Sequence, residues 1–555
     1  MYIDFNYFKE RLLSFAVCSQ KPSPKTHKIE MKKLLKITTI LLLTIIGVSC
    51  TNLDIEPASV IAGDKVFSDE SSYRAFVAKL YAGLAVTGQQ GPAGSADIQS
   101  IDEGFSNYLR QYWGAQELST DEAVIGWGDA GLPDFHEHSW TAANNFLTAM
   151  YNRVFFQVSQ ANEFLRQTTE GKLSERNVST AVRAQITNYR AEARFLRALS
   201  YWHGLDLFGS IPLYAEDFLP GSQAPTQATR QEIFTFIERE IQEIENDMVA
   251  PGAQEYGRAS QAAAWMLMAK LYMNSEVYTG QARYTEAITY LNKIINSGAY
   301  SLKANFQENF MADNNTSSEI IFSIPFDGVR TRTWGGMTFL INASLGGSMN
   351  TRDFGMNGGW WGTRTTSAVV DLFPDATGTI DERAIFFTTD KTKEITNIGD
   401  YNSGYSAPKF INKTSAGVDG QDGTHPDTDF PMFRLADVYL MYAESVLRGG
   451  TGGDVGTALN YVNQLRERAY NNATGNITTA QLNLDFILDE RARELMWEGH
   501  RRTDLIRYNQ FTENGIWPWK GNIQAGRTTE KFRDLYPIPS TELISNPNLK
   551  QNTGY

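Results

Sequence analysis

Chemistry has few places to begin in this chain of 555 residues. Its six histidines are His27, His136, His138, His203, His425 and His500, and none shows the i, i+4 spacing with a helix glutamate that a zinc hydrolase uses. His136-Glu137-His138 sets two imidazoles two apart, on one face of a strand or as neighbours on a loop, and reads as a solvated loop. There is no phosphate loop, no Gly-x-Ser-x-Gly elbow and no Gly-x-Gly-x-x-Gly after a strand. Carboxylates are plentiful, 63 Asp and Glu in all, so a glycosidase pair is not excluded by counting, although no residue pattern points to one.

What stands out is tryptophan in glycine-rich, loop-like settings: Trp127 in Gly126-Trp127-Gly128, Trp334 in Thr333-Trp334-Gly335-Gly336, and Trp360-Trp361 after Gly358-Gly359. Helical core periodicity does not account for such a ring, and its flat apolar face suits the C–H face of a sugar. Three together point to a ligand platform. Sugar hydroxyls arrive hydrated and must regain hydrogen bonds, so polar partners are needed beside the rings. Asp102, Arg110 and Asp129 lie close to Trp127 in sequence and are the candidates, although by composition alone they read as solvated surface charges.

The elements that must carry these loops are mainly α-helical. Apolar residues recur at three- and four-residue steps over 146–166, and helical patterns follow at 182–207, 233–248, 262–273, 284–295, 435–447, 458–466 and 487–497. These pair as helix hairpins with small residues at the crossings, such as Ala262-Ala263-Ala264, which predicts a tetratricopeptide-like scaffold. Between 301 and 430 the pattern changes to Gly, Asn, Thr and aromatics with short β-like runs, Glu319 to Ile324 among them. That stretch reads as a loop-rich insertion packed on the helices, within one continuous body spanning 58–555.

The N-terminal region reads as an address. Met31-Lys32-Lys33-Leu34-Leu35-Lys36, an apolar run to Val48, and Ser49-Cys50 have the three parts of a secretory signal over 31–49. The apolar run is too short for a membrane span. Cys50 stands where a lipoprotein signal peptidase leaves a new N-terminus and is the expected lipidation site. Residues 50–57 then form a tether. Residues 1–30 precede a complete signal and read as an upstream mis-start. Cys18 and Cys50 are the only cysteines, so the body has no internal disulfide. Of 50 Lys and Arg and 63 Asp and Glu, residues 1–49 hold eight and three; the remaining 42 basic against 60 acidic residues argue against a nucleic-acid partner.

Several segments resemble the SusD/RagB family of nutrient-uptake lipoproteins: Ala191 to Ala198 through Asp206-Leu207-Phe208-Gly209-Ser210-Ile211-Pro212-Leu213, Arg434 to Glu444, Glu490 to Leu495, Glu498 to Arg507, and the ending Tyr536-Pro537-Ile538-Pro539 to Tyr555. The resemblance runs from Cys50 to the C-terminus. It implies a SusD-like, non-catalytic glycan binder, anchored by lipid at the cell outer membrane and surface-exposed, with a SusC-like TonB-dependent transporter as partner. Val86 to Gly91, Asp102-Glu103-Gly104, Glu117 to Glu122, Phe310 to Asn314 and Asp327 to Arg332 further resemble the family's starch-binding founding member. By that likeness Trp127, Trp334 and Trp360 match an arc of aromatics that cradles a curved α-glucan, with Trp334 in place of a tyrosine. Asp102 and Arg110 match its polar partners, and an asparagine partner falls around Asp129 and Ala130, where this chain is one residue shorter. The expected ligand is starch or malto-oligosaccharide, with another glycan, or a glycoside hydrolase, as the alternative. No cofactor is required, although His425 to Asp429 with Asp313 resembles a segment pair holding structural calcium, which makes Asp313, Asp427 and Asp429 its expected ligands.

Overall fold

The amphipathic stripes become helices whose ends are chemically marked. A computed structural model describes residues 66–555, except Ser68, Ala93, Ser100, Pro220 and Ser222. The expected signal, Cys50 and the tether lie outside the described residues. Twelve described helices have seven residues or more: α1 (Ser71–Ala85), α2 (Tyr108–Glu117), α3 (Asn145–Gln167), α4 (Thr180–Phe208), α5 (Arg230–Ile244), α6 (Gln261–Met273), α7 (Tyr284–Asn296), α8 (Gly336–Ser344), α9 (Leu435–Leu447), α10 (Val455–Tyr470), α11 (Leu484–Leu495) and α12 (Arg501–Arg507). Asn144, Ser179 and Asp454 cap α3, α4 and α10 by accepting backbone N–H bonds, and Thr229 with Glu232 forms a reciprocal capping box at α5.

Packing follows the order of the chain. α3 lies against α4, α4 against α5, α6 against α7, and α9 against α7, α10 and α11, which is the helix-hairpin scaffold. Phe67–Tyr555 is one compact unit. No described helix is long and apolar enough to cross a membrane.

Four strands form two antiparallel ribbons among the described residues. β1 (Val124–Ile125) pairs with β3 (Thr363–Arg364), Val124 opposite Arg364; β2 (Ile320–Ile324) pairs with β4 (Phe430–Arg434), Ile320 opposite Arg434. Residues 301–430 are otherwise mostly loops, with α8 inside them.

The segments that carried the family resemblance are largely buried charge. Arg434 donates to Glu319 (2.8 Å), Glu494 (2.7 Å) and Glu498 (2.6 Å), and Lys409 reaches Glu498 at 2.5 Å. Arg383 joins Asp381, Glu490 and Glu494. Asp437 takes Lys270 and Arg491, while Arg507 is bidentate to Glu444. Burial alone would raise the Glu490 carboxyl, but Arg383, Arg493 and Arg466 outweigh it and hold the group down to about 2.

Beside this lattice, Glu117 at the end of α2 accepts the N–H groups of Gly499 (2.6 Å) and His500 (3.1 Å), and Glu122 accepts that of Trp497 (2.8 Å). Both carboxyls are buried. Burial pushes both up, Glu122 to about 7, with Arg501 opposing the rise in Glu122.

Candidate functional site

The three candidate tryptophans meet because a ribbon and a helix bring their loops together. Gly126 N–H donates to Gly362 O at 3.3 Å, extending the β1–β3 ribbon by one bond. Trp127 thereby comes beside Trp360: its Nε1 donates to Trp360 O at 3.2 Å, with ring centroids 6.3 Å apart and planes at 45°. Its indole N–H is used within the fold, while the ring stays half-buried.

Helix α8 holds the rest. The last carbonyls of a helix have no partner inside it. Here those of Asn342 and Ala343, with that of the capping Leu345, accept the N–H groups of Trp360 (2.7 Å), Gly362 (2.9 Å) and Trp361 (3.0 Å). At the other end of α8, Trp334 N–H donates to Glu103 at 3.0 Å, and Thr333 Oγ1 donates to the other oxygen of that carboxylate, also at 3.0 Å. Thr87 donates to it as well. The Trp334 ring is 38% exposed, rests on His425 at 4.9 Å and lies 6.2 Å from Trp360, its plane turned by 47°. The order is therefore Trp127, Trp360, Trp334, each ring turned from the next.

Close approach fixes two glycines. A side chain at Gly362 would stand 2.7 Å from the Trp127 ring, and one at Gly104 would stand 2.8 Å from Trp334 Cβ.

Arg110 lies in the first turn of α2, which Asn107 caps. Asn107 Oδ1 also accepts from Gly336 N–H (3.0 Å), and its Nδ2 donates to Ala85 O (2.7 Å), so one side chain joins α1, α2 and α8. Contrary to a reading as solvated charge, Arg110 is buried: its guanidinium sits 4.2 Å from the Phe105 ring and 4.0 Å from the Phe339 ring, with Trp127 at 5.9 Å. Burial lowers it to about 9, and the charges of Asp129, Asp102 and Glu103 work against that fall, so it remains a cation at neutral pH. Among the described residues its guanidinium forms no hydrogen bond or ion pair. Its N–H donors are available to a ligand. Asp102 and Asp129 are exposed, and Asp102 accepts from Gly104 N–H at 3.0 Å.

Other expectations fare differently. Asp313 accepts from Ser415 N–H (2.8 Å) and Oγ (2.6 Å); Asp427 accepts from the N–H groups of Gly328 (2.8 Å) and Gln421 (2.7 Å); Asp429 accepts from Phe326 N–H (2.7 Å) and from the Tyr256 hydroxyl. Burial pushes Asp429 up to about 7. Their oxygens accept protein donors, and the described residues hold no group of three or more His, Cys, Asp or Glu side chains placed to hold a metal ion. His136 and His138 are buried and not on a solvated loop. His138 pairs with Thr529 Oγ1 (3.0 Å) and Ser119 O (2.8 Å).

Sequence reasoning missed Glu103, Phe105, Phe339 and His425 as supports of the site. Glu103 stood within a stretch already singled out. Phe339 gave no signal, since only folding brings it to Arg110.

Comparison with known proteins agrees with this architecture. The SusD family profile matches residues 387–555. The chain is 36% identical to the starch-binding protein SusD of Bacteroides thetaiotaomicron, over 95% of this chain and 99% of that one. A SusD superfamily protein from the same organism superposes with a TM-score of 0.67 at 18% identity, covering 87% of this chain and 99% of its own. A surface glycan-binding protein A from that organism, solved with laminarihexaose, gives 0.66 at 18% identity, covering 87% and 99%, a likeness of fold. With the helix-hairpin frame, the buried charge of its motif segments and a relative of this identity along nearly its whole length, the chain belongs to the SusD family.

Proposed function

We propose that the protein captures starch or malto-oligosaccharide without cleaving it, and passes it to a SusC-like TonB-dependent transporter at the cell outer membrane, where a lipid on Cys50 anchors it. One observation carries the ligand reading: three tryptophan rings stand 6.2–6.3 Å apart, each turned by 45–47° from its neighbour. Coplanar rings would suit a flat, ribbon-like glycan; a turned series suits a coiled one. The unpaired N–H donors of Arg110 and the exposed Asp102 and Asp129 supply partners for hydroxyls. The likeness to a starch-binding relative supports the choice of an α-glucan.

Capture without cleavage is the reading that the likeness to a starch-binding relative supports. Glu117, Glu122 and Asp429, whose carboxyls burial raises, are held by backbone N–H donors inside the fold, while Asp489 and Glu542, also raised by burial, are half-buried. A shallow platform binds weakly, because little contact energy is left after ordering and desolvation; several sites on one polymer raise retention.

Native affinity electrophoresis of the protein from residue 50 onward, in gels containing amylopectin, pullulan, laminarin, dextran, levan or xylan, tests the reading. Retardation by amylopectin and pullulan is expected. Retardation by laminarin alone moves the ligand to a β-1,3-glucan, which also coils, and shortening of malto-oligosaccharides by the protein ends the non-catalytic reading.

A further inference from the structure

Trp361 does what a core residue avoids. It is 55% exposed, and its φ of +56° lies in the left-handed region, where a bulky side chain is an outlier. Such strain persists only where the surroundings over-determine it, and here they do. The N–H groups of Trp360, Trp361 and Gly362 are all fixed to the C-terminal end of α8.

The ring has a built floor. It lies against Gly346, where an added Cβ would come within 2.4 Å of the indole, and beside Tyr401, ring centroids 6.0 Å apart at 36°. Tyr401 is itself fixed, its hydroxyl donating to Ser344 O at 2.6 Å. The chain therefore holds a strained backbone and a rigid floor, yet leaves the indole face in water, one residue from the central ring of the arc. Packing alone does not explain that arrangement, because the same ring buried would remove more apolar surface from water.

We infer that Trp361 is an outer glycan subsite: a ring that stacks on sugar residues of a chain extending past Trp360 and so selects for length. The inference rests on the glycan-binding reading above but not on starch being the glycan. Stacking on an exposed ring changes affinity by about tenfold.

Isothermal titration tests it, with wild type, W361G and W334A each against maltotriose, maltoheptaose, laminaritriose and laminarihexaose. Glycine is chosen because it adopts a positive φ without strain, so W361G removes the ring and relieves the backbone together. For whichever series wild type binds, W361G is expected to weaken the long oligosaccharide about tenfold, to leave the trisaccharide within about twofold, and to melt no lower than wild type. Equal binding of the long oligosaccharide by W361G and wild type overturns the inference and leaves the arc standing. So does an equal loss at both lengths, or a melting temperature well below wild type, since either assigns the ring to packing. Wild-type binding to the laminarin series alone removes starch, with the inference then read on that series. No binding by wild type to any of the four overturns both readings.

Discussion

Around Arg434 the protein buries charge, and around Trp360 it leaves aromatic carbon facing water. The two regions obey opposite demands. A buried guanidinium must find several carboxylates in fixed places, so Arg434, Glu319, Glu494 and Glu498 constrain one another across distant parts of the chain. An exposed ring asks only for a support from behind, which α8 and its neighbours provide. The profile match over residues 387–555 includes Lys409, Arg434, Glu494 and Glu498 of the charge lattice, though not Glu319 or Arg383, and none of Trp127, Trp334 and Trp360. Most of the lattice and the candidate ring arc thus lie in different parts of the chain, and a change at either should leave the other readable.

The sharpest break is Arg434→Met. It strands buried carboxylates, and the unfolding free energy should fall by about 3–5 kcal/mol in urea titrations, with glycan affinity unchanged in whatever fraction stays folded. A loss below about 1 kcal/mol would mean that the lattice is not the frame. Trp334→Ala should do the reverse. Affinity for the bound glycan drops about tenfold by isothermal titration, while the melting temperature moves by less than about 2 °C. If it melts far lower, the arc is core and the contrast fails.

The smallest effect sits between the regions, at the Glu117–Glu122 pair. Burial raises Glu122 to about 7, above the 4.5 of an unfolded glutamate, so the folded state keeps a proton that the unfolded state releases. Its contribution is complete below pH 4.5 and is lost as pH rises toward 7. Glu122→Gln is neutral throughout, so its stability should fall less than that of wild type between pH 5 and 8. Parallel curves would show that the pair does not titrate in this window.

Much of the frame was legible because it is amphipathic. The stripes over 146–166 and 435–447 mark α3 and α9 closely: α3 sets a buried face opposite the exposed Asn145 and Ser159, and α9 is buried except for half-buried Tyr439, Val446 and Leu447. Helices α2 and α8 were not readable in that way: every residue of Tyr108–Glu117 and of Gly336–Ser344 is buried, so no polar face supplied a period. The same limit applied to the site. Tryptophan beside glycine was visible in the sequence, whereas the burial of Arg110 depends on Phe339 from an unseen helix.

The reach of Glu319 sets an order of events in time. It is held by Arg434 and Arg468, 115 and 149 residues farther on, and its strand β2 pairs with β4, which ends at Arg434. While those partners are still to be made, this carboxylate and the open edge of β2 must stay in water, because burying either alone is unfavourable. Contacts so far apart also close slowly. The frame therefore locks late, once its last third has joined.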